Sequence, residues 1–312
     1  MNTRFLALKL LRMLVTIWFV VTFVFIVLRT TTDPVEALLP PDATPDEIAQ
    51  WSEIWGLDQP LIVQYGRYVA SLTVGDLGFS YRDGRPVTVV VSQRIPATLI
   101  LGGTALGIAL CVGVPFGIIA ALRRNRLSDR LIMAFSVFGF AIPNFFFGIL
   151  LILLFSLYLR WLPSSGYGGL DHLIMPAATL GLATAGALAR FTRSSMLEAL
   201  SKPFMETAAA KGAGPFRRVM RHAVPNAAIP VVTILGLNIG ALISGSIVTE
   251  TVFAWPGVGR LLISSVEARD LAVVQFLVLL IALTMVVANL LVDILYGVLD
   301  PRIRVSGRAK AG

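Results

Sequence analysis

The chain has 312 residues, of which 56% are hydrophobic and only 14% are charged, and its mean hydropathy is +0.80. Water-soluble domains carry about 25% charged residues, so this composition excludes an ordinary soluble enzyme and indicates an integral membrane protein. The net charge of +8 fits either a nucleic-acid partner or a membrane topology, and the single cysteine, Cys111, excludes a disulfide framework.

Six weakly charged stretches are long enough to cross a bilayer, which takes about 20 apolar residues. They predict an all-α integral membrane protein with six transmembrane helices, at 9–29, 96–122, 131–158, 171–190, 227–250 and 272–298. The first helix includes Arg12, whose long side chain can reach the headgroup region. No small-residue cleavage pattern follows this helix, so we expect a retained anchor rather than a cleaved signal peptide.

Glycines spaced four apart occur in three places, which are Gly103 with Gly107, Gly113 with Gly117, and Gly236 with Gly240. This spacing permits close packing between membrane helices. We expect it to serve packing within the chain, with subunit contact as the alternative.

The distribution of Lys and Arg predicts that both termini lie in the cytoplasm. With this orientation, 18 of the 26 basic residues lie on the cytoplasmic side and 8 lie on the other side. The cytoplasmic excess follows the positive-inside rule. Topology therefore accounts for the basic charge, and no nucleic-acid partner is expected.

The chain is predicted to have three parts. Residues 1–95 form the first helix and an extracytoplasmic loop, residues 96–300 form a five-helix transmembrane domain, and residues 301–312 form a cytoplasmic tail. Within the loop, Thr44-Pro45-Asp46-Glu47 predicts a helix over 45–55 that ends at Gly56. The loop is either a structured connection or a docking surface for a soluble partner.

The longest cytoplasmic loop, residues 191–226, contains a short alanine-rich helix. Pro203 interrupts the preceding helix, residues 204–211 form the short helix, and Gly212 suits the left-handed position that ends it. Asn226 is the expected N-cap of the fifth membrane helix. Because so short a helix is marginal in isolation, it needs a packing surface from the chain or from another protein.

Motifs of catalysis and energy conversion are absent from the sequence. It has no P-loop pattern and no His-Glu-x-x-His, and its two histidines fall on opposite sides of the predicted membrane. We therefore predict no catalytic and no metal-binding residue. A few polar residues at membrane depth are candidates for a translocation path, with helix–helix hydrogen bonds as the alternative; they are Asn144, Asn238, Gln275 and Asn289.

The cytoplasmic loop resembles the "EAA" motif of ABC-importer permeases. The pattern of the family is matched at Glu206, Ala208, Gly212 and Pro225, with mild departures at Thr207, His222 and Val224. Further segments are similar to the dipeptide/oligopeptide/nickel permease family, namely 56–60, 75–78, 209–212, 221–223, 226–232, 250–253, 255–260 and 300–302. Residues 29–34 depart from the Pro-Gly-Asp-Pro run that this family usually carries.

The resemblance implies a B-type permease subunit of a binding-protein-dependent ABC importer, with a type I bundle, in the bacterial inner membrane. The implied partners are a similar C-type permease, two ABC ATPase subunits, an extracytoplasmic solute-binding protein and the lipid bilayer. ATP and Mg²⁺ would be held by the ATPase subunits, and no cofactor by this chain. The helix at 204–211 would be the coupling helix, and the implied coupling residues are Glu206, Ala208, Ala209, Lys211, Gly212 and Pro225.

Di- or oligopeptides are the substrate that the resemblance favours. Nickel, glutathione and opine-like solutes are alternatives on the same architecture. A stand-alone secondary carrier would need more charge at membrane depth than this sequence offers. A membrane-embedded enzyme would need a convergent acid, base or nucleophile, so the prediction is a permease subunit and not an enzyme.

Overall fold

The computed structural model describes residues 3–31, 35, 39, 43–54 and 56–299. Within them, side chains are described except at 3–6, 31, 140, 229, 233, 234, 237–245 and 292–299. In this part of the chain all regular structure is helical, and one isolated bridge between Phe79 and Pro86 is the only strand-like pairing.

The described residues form fourteen α-helices, α1 to α14 in chain order. They are α1 (Thr3–Thr31), α2 (Pro45–Ile54), α3 (Leu61–Val74), α4 (Val87–Ser92), α5 (Ile95–Ile108), α6 (Val114–Leu122), α7 (Leu127–Ala141), α8 (Asn144–Leu151), α9 (Leu170–Leu200), α10 (Pro203–Ala210), α11 (Pro215–Arg218), α12 (Val224–Val252), α13 (Val258–Glu267) and α14 (Leu271–Leu299). Three π-helical segments continue them: Ala109–Gly113 joins α5 to α6, Ile152–Tyr158 extends α8, and Val219–Ala223 joins α11 to α12.

Within the described residues, four helical stretches are long and apolar enough to cross a membrane: Ala7–Thr30, Val87–Leu122, Leu170–Leu200 and Leu271–Leu291. A bent pair, Leu127–Gly139 with Asn144–Tyr158, brings the number to five if the pair counts as one span. The remaining predicted span, 227–250, falls on α12, where the side chains at 237–245 lie outside the described residues. The count of six spans and the cytoplasmic termini therefore stay predictions.

The prediction of one continuous helix over 131–158 is wrong. The chain bends by 103° between α7 and α8, where Ile142 is extended with φ −89° and ψ 125°. Pro143 follows Ile142, and a proline disfavours helical backbone in the residue before it. A stretch with the composition of one span therefore forms two helices.

The predicted boundaries of two other helices also need correction. Helix α9 continues to Leu200, ten residues beyond the predicted end at 190, because no proline or glycine interrupts that stretch. Asn226 is not an N-cap: it lies in the first turn of α12, which continues the π-helical Val219–Ala223. Its Nδ2 donates to the carbonyl of His222 at 2.7 Å, one turn earlier in the same helix.

The helix predicted over 45–55 is confirmed as α2. Thr44 Oγ1 accepts a hydrogen bond from the Glu47 N–H at 3.3 Å, and the Thr44 N–H donates to Glu47 Oε2 at 2.8 Å. This reciprocal pair is a capping box, and the hydrogen bonds from Thr44 lower the pKa of Glu47. Gly56, with φ +63°, follows the helix as expected.

The structure divides into two compact units. Unit 1 comprises Thr98–Trp255 with the residues from Val287 onward, and unit 2 comprises the residues up to Ala97 with Pro256–Val286. In unit 1, α9 packs against α6, α7, α8 and α12. In unit 2, an apolar cluster joins α4, α13 and the start of α14 through Val87, Val91, Val258, Val273 and Leu277.

Close contact between α6 and α9 requires glycine at Gly117. A Cβ atom added there would lie 2.5 Å from Thr192 Cβ and 2.6 Å from the Ala189 carbonyl oxygen. The predicted packing role of the Gly113–Gly117 spacing is thus confirmed for contact within the chain. Gly103, by contrast, has no heavy atom within 4 Å of the position of an added Cβ.

We expect Gly117→Ala to destabilise the chain by about 1–3 kcal/mol, because α9 must move to admit the methyl group. Thermal unfolding of the purified chain in detergent measures this loss. Gly103→Ala is the matched control and should leave the melting temperature unchanged. Equal melting temperatures for the two variants would contradict the packing described.

Candidate functional site

The short alanine-rich helix predicted in the cytoplasmic loop is present as α10. The backbone of Lys202 is extended, with φ −79° and ψ 149°, and Pro203 occupies the first helical turn. Proline suits that position because its fixed φ matches a helix and no N–H is left without a partner. The chain thus ends α9, turns within two residues and starts α10.

Gly212 ends α10 in the left-handed conformation that the sequence predicts, with φ +77°. The Gly212 N–H donates to the Ala209 carbonyl at 2.9 Å, and the Ala213 N–H donates to the Ala208 carbonyl at 3.1 Å. These two bonds form a Schellman motif, which satisfies carbonyls at the end of a helix. Both ends of α10 are therefore fixed by the backbone.

One face of α10 packs on the rest of unit 1. Met205 and Ala208 are 8% and 7% exposed. They belong to an apolar cluster with residues from α6, α9, the π-helical turn and α12, namely Ala121, Met196, Ala199, Ala223 and Ala227. The chain itself thus supplies one packing surface for α10, which the sequence left open.

The opposite face of α10 is exposed. Glu206, Ala209, Lys211 and Gly212 lie on this side, and Pro225 is exposed in the first turn of α12. Of the six predicted coupling residues, the structure thus gives five exposed positions and one, Ala208, in the internal cluster.

Phe216 was missed by the sequence reasoning. Its side chain is 79% exposed on α11, four residues beyond Gly212. A large aromatic residue exposed to this degree is uncommon on a polar surface, and aromatic residues often anchor interfaces. The signal in the sequence was an isolated phenylalanine between Pro215 and the basic Arg217.

An ion pair links α9 to α7 near the end of α9 that leads into α10. Arg193 Nε and Nη2 donate to the two carboxylate oxygens of Asp129 at 2.6 and 2.7 Å. The Asn125 N–H also donates to Asp129 at 2.9 Å, and Asp129 is only 3% exposed. Two parallel hydrogen bonds from one guanidinium fix both the orientation of the two side chains and the distance between them. The last turns of α9 are therefore held against α7 before α10 begins.

The four path candidates do not form one described cluster. Asn144, in unit 1, borders a small apolar cavity with Phe147 and Leu182. Gln275, in unit 2, is buried at the wall of a separate cavity. Asn289 is exposed, and the side chain of Asn238 lies outside the described residues.

Apolar helices of membrane-spanning length, together with a short capped helix that exposes one face, indicate a multi-pass helical membrane protein. The model of the family described as "Binding-protein-dependent transport system inner membrane component" matches residues 113–305. A second model, for the N-terminal part of such membrane components, matches residues 2–102. The chain belongs to this family.

Curated relatives are similar over almost the whole chain. The glutathione transport system permease protein GsiC of Escherichia coli strain K12 is 43% identical over 297 residues, which cover 95% of this chain and 97% of the relative. The protein of the same name from Salmonella paratyphi A is 44% identical over the same share of both chains.

Solved structures show the same fold. A chain of the MetNI methionine ABC transporter in an inward-facing conformation aligns with a TM-score of 0.58 at 17% identity, covering 68% of this chain and 97% of that one. A chain of an amino acid ABC transporter with histidines aligns with a TM-score of 0.51 at 15% identity, covering 67% and 94%.

Family and fold confirm the main predictions from sequence. The chain is an ABC-importer permease of the peptide/nickel group and a multi-pass protein of the bacterial inner membrane. It is a membrane permease and not itself an enzyme.

We expect Ala208→Leu to destabilise unit 1 by about 1–3 kcal/mol, because the larger side chain overfills the cluster behind α10. Ala209→Leu is the matched control, since Ala209 is the next residue of the same helix and its side chain is exposed. Thermal unfolding of the purified chain in detergent separates the two. Destabilisation by Ala209→Leu alone would show that the faces of α10 are assigned wrongly.

Proposed function

We propose that this permease forms half of a translocation path for a peptide-class solute and that α10 couples it to a separate ABC ATPase subunit. The observation that carries the proposal is the two-sided character of α10. Met205 and Ala208 fix the helix to its own bundle, whereas Glu206 and Ala209 are exposed. A helix with this arrangement can pass motion between the bundle and a partner seated on its open face.

The partner surface extends beyond α10 to Phe216 and Pro225. Phe216 would be its apolar anchor, because it is the most exposed aromatic residue in this part of the chain at 79%. The same loop carries exposed basic residues, namely Lys202, Lys211, Arg217 and Arg221. We therefore expect an ATPase groove with an apolar pocket and an acidic rim, since complementary charge speeds and orients association.

The proposed assembly contains two ATPase subunits, a second permease of C type and an extracytoplasmic binding protein. The three-part division at residues 95 and 300, the six spans and the cytoplasmic termini belong to the same proposal. Asn144, Asn238, Gln275 and Asn289 remain candidates for the path. ATP and Mg²⁺ would be bound by the ATPase subunits.

Glutathione or a similar short peptide is the proposed substrate. Support comes from the relatives named as glutathione permeases, at 43% identity over 95% of this chain. Nickel and opine-like solutes are the alternatives within the same architecture. Uptake of radiolabelled glutathione by cells with and without the gene for this chain tests the substrate class directly.

A photo-crosslinker placed on the exposed face of α10 should capture the ATPase. The experiment starts from Cys111→Ala, which removes the single native cysteine, and adds Ala209→Cys or Phe216→Cys for labelling with a thiol-reactive benzophenone. Illumination of native membranes, followed by mass spectrometry of the captured protein, gives the result.

Ala208→Cys is the control for this experiment, because residue 208 faces the internal cluster. We expect its label to yield no cross-link to the ATPase. Capture of the ATPase from position 208 as often as from 209, or no capture from 209 and 216, would refute the proposed coupling surface.

Gly212→Val should lower uptake about tenfold while the complex still assembles. A β-branched residue at φ +77° is strained by roughly 1–2 kcal/mol, and 1.4 kcal/mol corresponds to a factor of about ten in an equilibrium. That strain loosens the end of α10 where the partner sits. Uptake per assembled complex is the quantity to measure.

Gly214→Val is the matched control, because Gly214 has φ −63° and no heavy atom within 4 Å of the position of an added Cβ. Its uptake should equal that of the unmodified chain. Normal uptake by Gly212→Val, or the same loss in both variants, would contradict a role for the left-handed turn.

A further inference from the structure

Unit 2 contains a cavity of about 250 Å³ with a polar wall. It is bordered by the last turns of α1, by α3, by the turn that follows α3, and by the first turns of α14. The predicted topology places this region on the extracytoplasmic side. The polar side chains that matter for its chemistry are Arg29, Gln64, Arg67, Asp76 and Gln275, together with two tyrosine hydroxyls.

Packing between α1 and α3 fixes one side of the cavity. Thr22 Oγ1 and the Tyr65 hydroxyl lie 2.6 Å apart, within hydrogen-bond distance. The ring of Phe25 packs against Tyr65 and Tyr68, with centroids 5.3 and 5.7 Å apart. The same Phe25 ring lies 5.7 Å from the guanidinium carbon of Arg29, which holds that cation beside the cavity.

The Asp270 carboxylate fixes the other side. It accepts hydrogen bonds from the Ser80 hydroxyl and, at 3.2 Å, from the Tyr81 N–H. It also accepts a bond from the Val273 N–H at 3.4 Å, in the first turn of α14. The turn that follows α3 is thus tied to the helix that carries Gln275, so the cavity walls are preformed.

Buried polar atoms on residues of this wall have no hydrogen-bond partner among the described residues. They are the donors Nε and Nη1 of Arg29 and Nε2 of Gln275, and the acceptor Oε1 of Gln64. Unpaired buried polar groups are rare because each forfeits the hydrogen bonds it would make in water. The three residues that carry these atoms also line the cavity, so a ligand bound in it would lie beside them.

The charge of the wall favours an anion. Two residues with guanidinium groups, Arg29 and Arg67, and one with a carboxylate, Asp76, line the cavity. The Asp76 carboxylate accepts a hydrogen bond from the Gly78 N–H at 3.0 Å. Burial raises the pKa of Tyr68 to about 12 and raises that of Tyr81, so both stay protonated donors at neutral pH.

A carboxylate fits this wall better than a phosphate. Arg pairs with either anion through two parallel hydrogen bonds, but Asp76 repels a phosphate dianion more strongly than a carboxylate monoanion. The free acceptor of Gln64 matches an amide N–H next to that carboxylate, as at the C-terminal residue of a peptide. The volume of the cavity is below the roughly 300–1,000 Å³ of sites that hold whole small molecules. The end group of a peptide therefore fits inside, and the rest of the peptide extends outward.

We propose that this cavity binds the C-terminal carboxylate and adjacent amide of a peptide-class solute on the extracytoplasmic side. Arg29 and Gln275 donate to the carboxylate, Arg67 adds charge at the entrance, and Gln64 accepts the amide N–H. The proposal rests on the peptide substrate class given under Proposed function. It adds a site on the permease itself to the one expected on the solute-binding protein.

Equilibrium binding of radiolabelled glutathione to the full chain tests this site. The chain is placed in nanodiscs of phosphatidylcholine at low ionic strength, with no partner protein present. We expect saturable binding that glutathione competes away and that glutathione dimethyl ester, which lacks both carboxylates, does not. Inorganic phosphate, and nanodiscs containing phosphatidylglycerol, test the competing anions.

Arg29→Gln should weaken glutathione binding at least tenfold. Arg67→Gln should do the same, and because Arg67 is exposed this variant avoids the risk that a buried substitution unfolds the chain. The matched control is Arg12→Gln, on the same helix α1 but away from the cavity, which should bind like the unmodified chain.

Four results would overturn the proposal: no saturable binding, equal competition by the ester, displacement by phosphate or phosphatidylglycerol at lower concentration than glutathione, or unchanged affinity in both Arg29→Gln and Arg67→Gln. Cellular uptake of glutathione is measured separately. Normal uptake without binding to the isolated chain overturns the proposed cavity site alone, whereas absence of uptake overturns the proposed substrate class. The cross-link to the ATPase tests the coupling surface and is independent of both of these proposals.

Discussion

Close helix contact without a hydrophobic driving force is the constraint on which unit 1 depends. Lipid is as apolar as the helices that it surrounds, so helices associate through tight packing and a few polar bonds. Gly113 and Gly117 let the backbone of α9 approach that of α6, and the Asp129–Arg193 pair fixes the same helix to α7. Helix α9 is therefore held along its length, and whatever is attached to its end moves with it.

The sequence predicted those features whose cause is local. Charge spacing indicated the membrane class, Thr44 with Glu47 predicted the start of α2, and Gly212 predicted the end of α10. Errors arose where one local rule competed with another. The apolar run over 131–158 has the length of a span, yet Pro143 dictates extended backbone at Ile142, and the steric effect of the proline prevails over composition.

The site was predictable only in part, because a short sequence motif does not show which of its residues are buried in the fold. The EAA-like pattern locates α10, but it does not tell Ala208, which packs inward, from Ala209, which is exposed. That distinction depends on Ala121 and Ala227, which are distant in sequence from α10. The cavity of unit 2 has the same origin, since Arg29 and Gln275, which line it together, come from α1 and α14, at distant positions in the sequence.

A helix as short as α10 is not stable enough by itself to transmit motion without unwinding. Helices shorter than about 12 residues are marginal in water, and α10 buries only Met205 and Ala208 on its own bundle. Full burial of a methionine side chain stabilises by about 1.5–3 kcal/mol, which is little against the entropy of ordering the backbone. The stiffness of α10 must therefore come from its two ends. At the first end, the ring of Pro203 fixes φ, and at the second, the hydrogen-bonded turn at Gly212 closes the helix. With the proposed partner in place, displacement of the exposed face would thus be passed to the end of α9, where Arg193 holds the helix, rather than absorbed by unwinding.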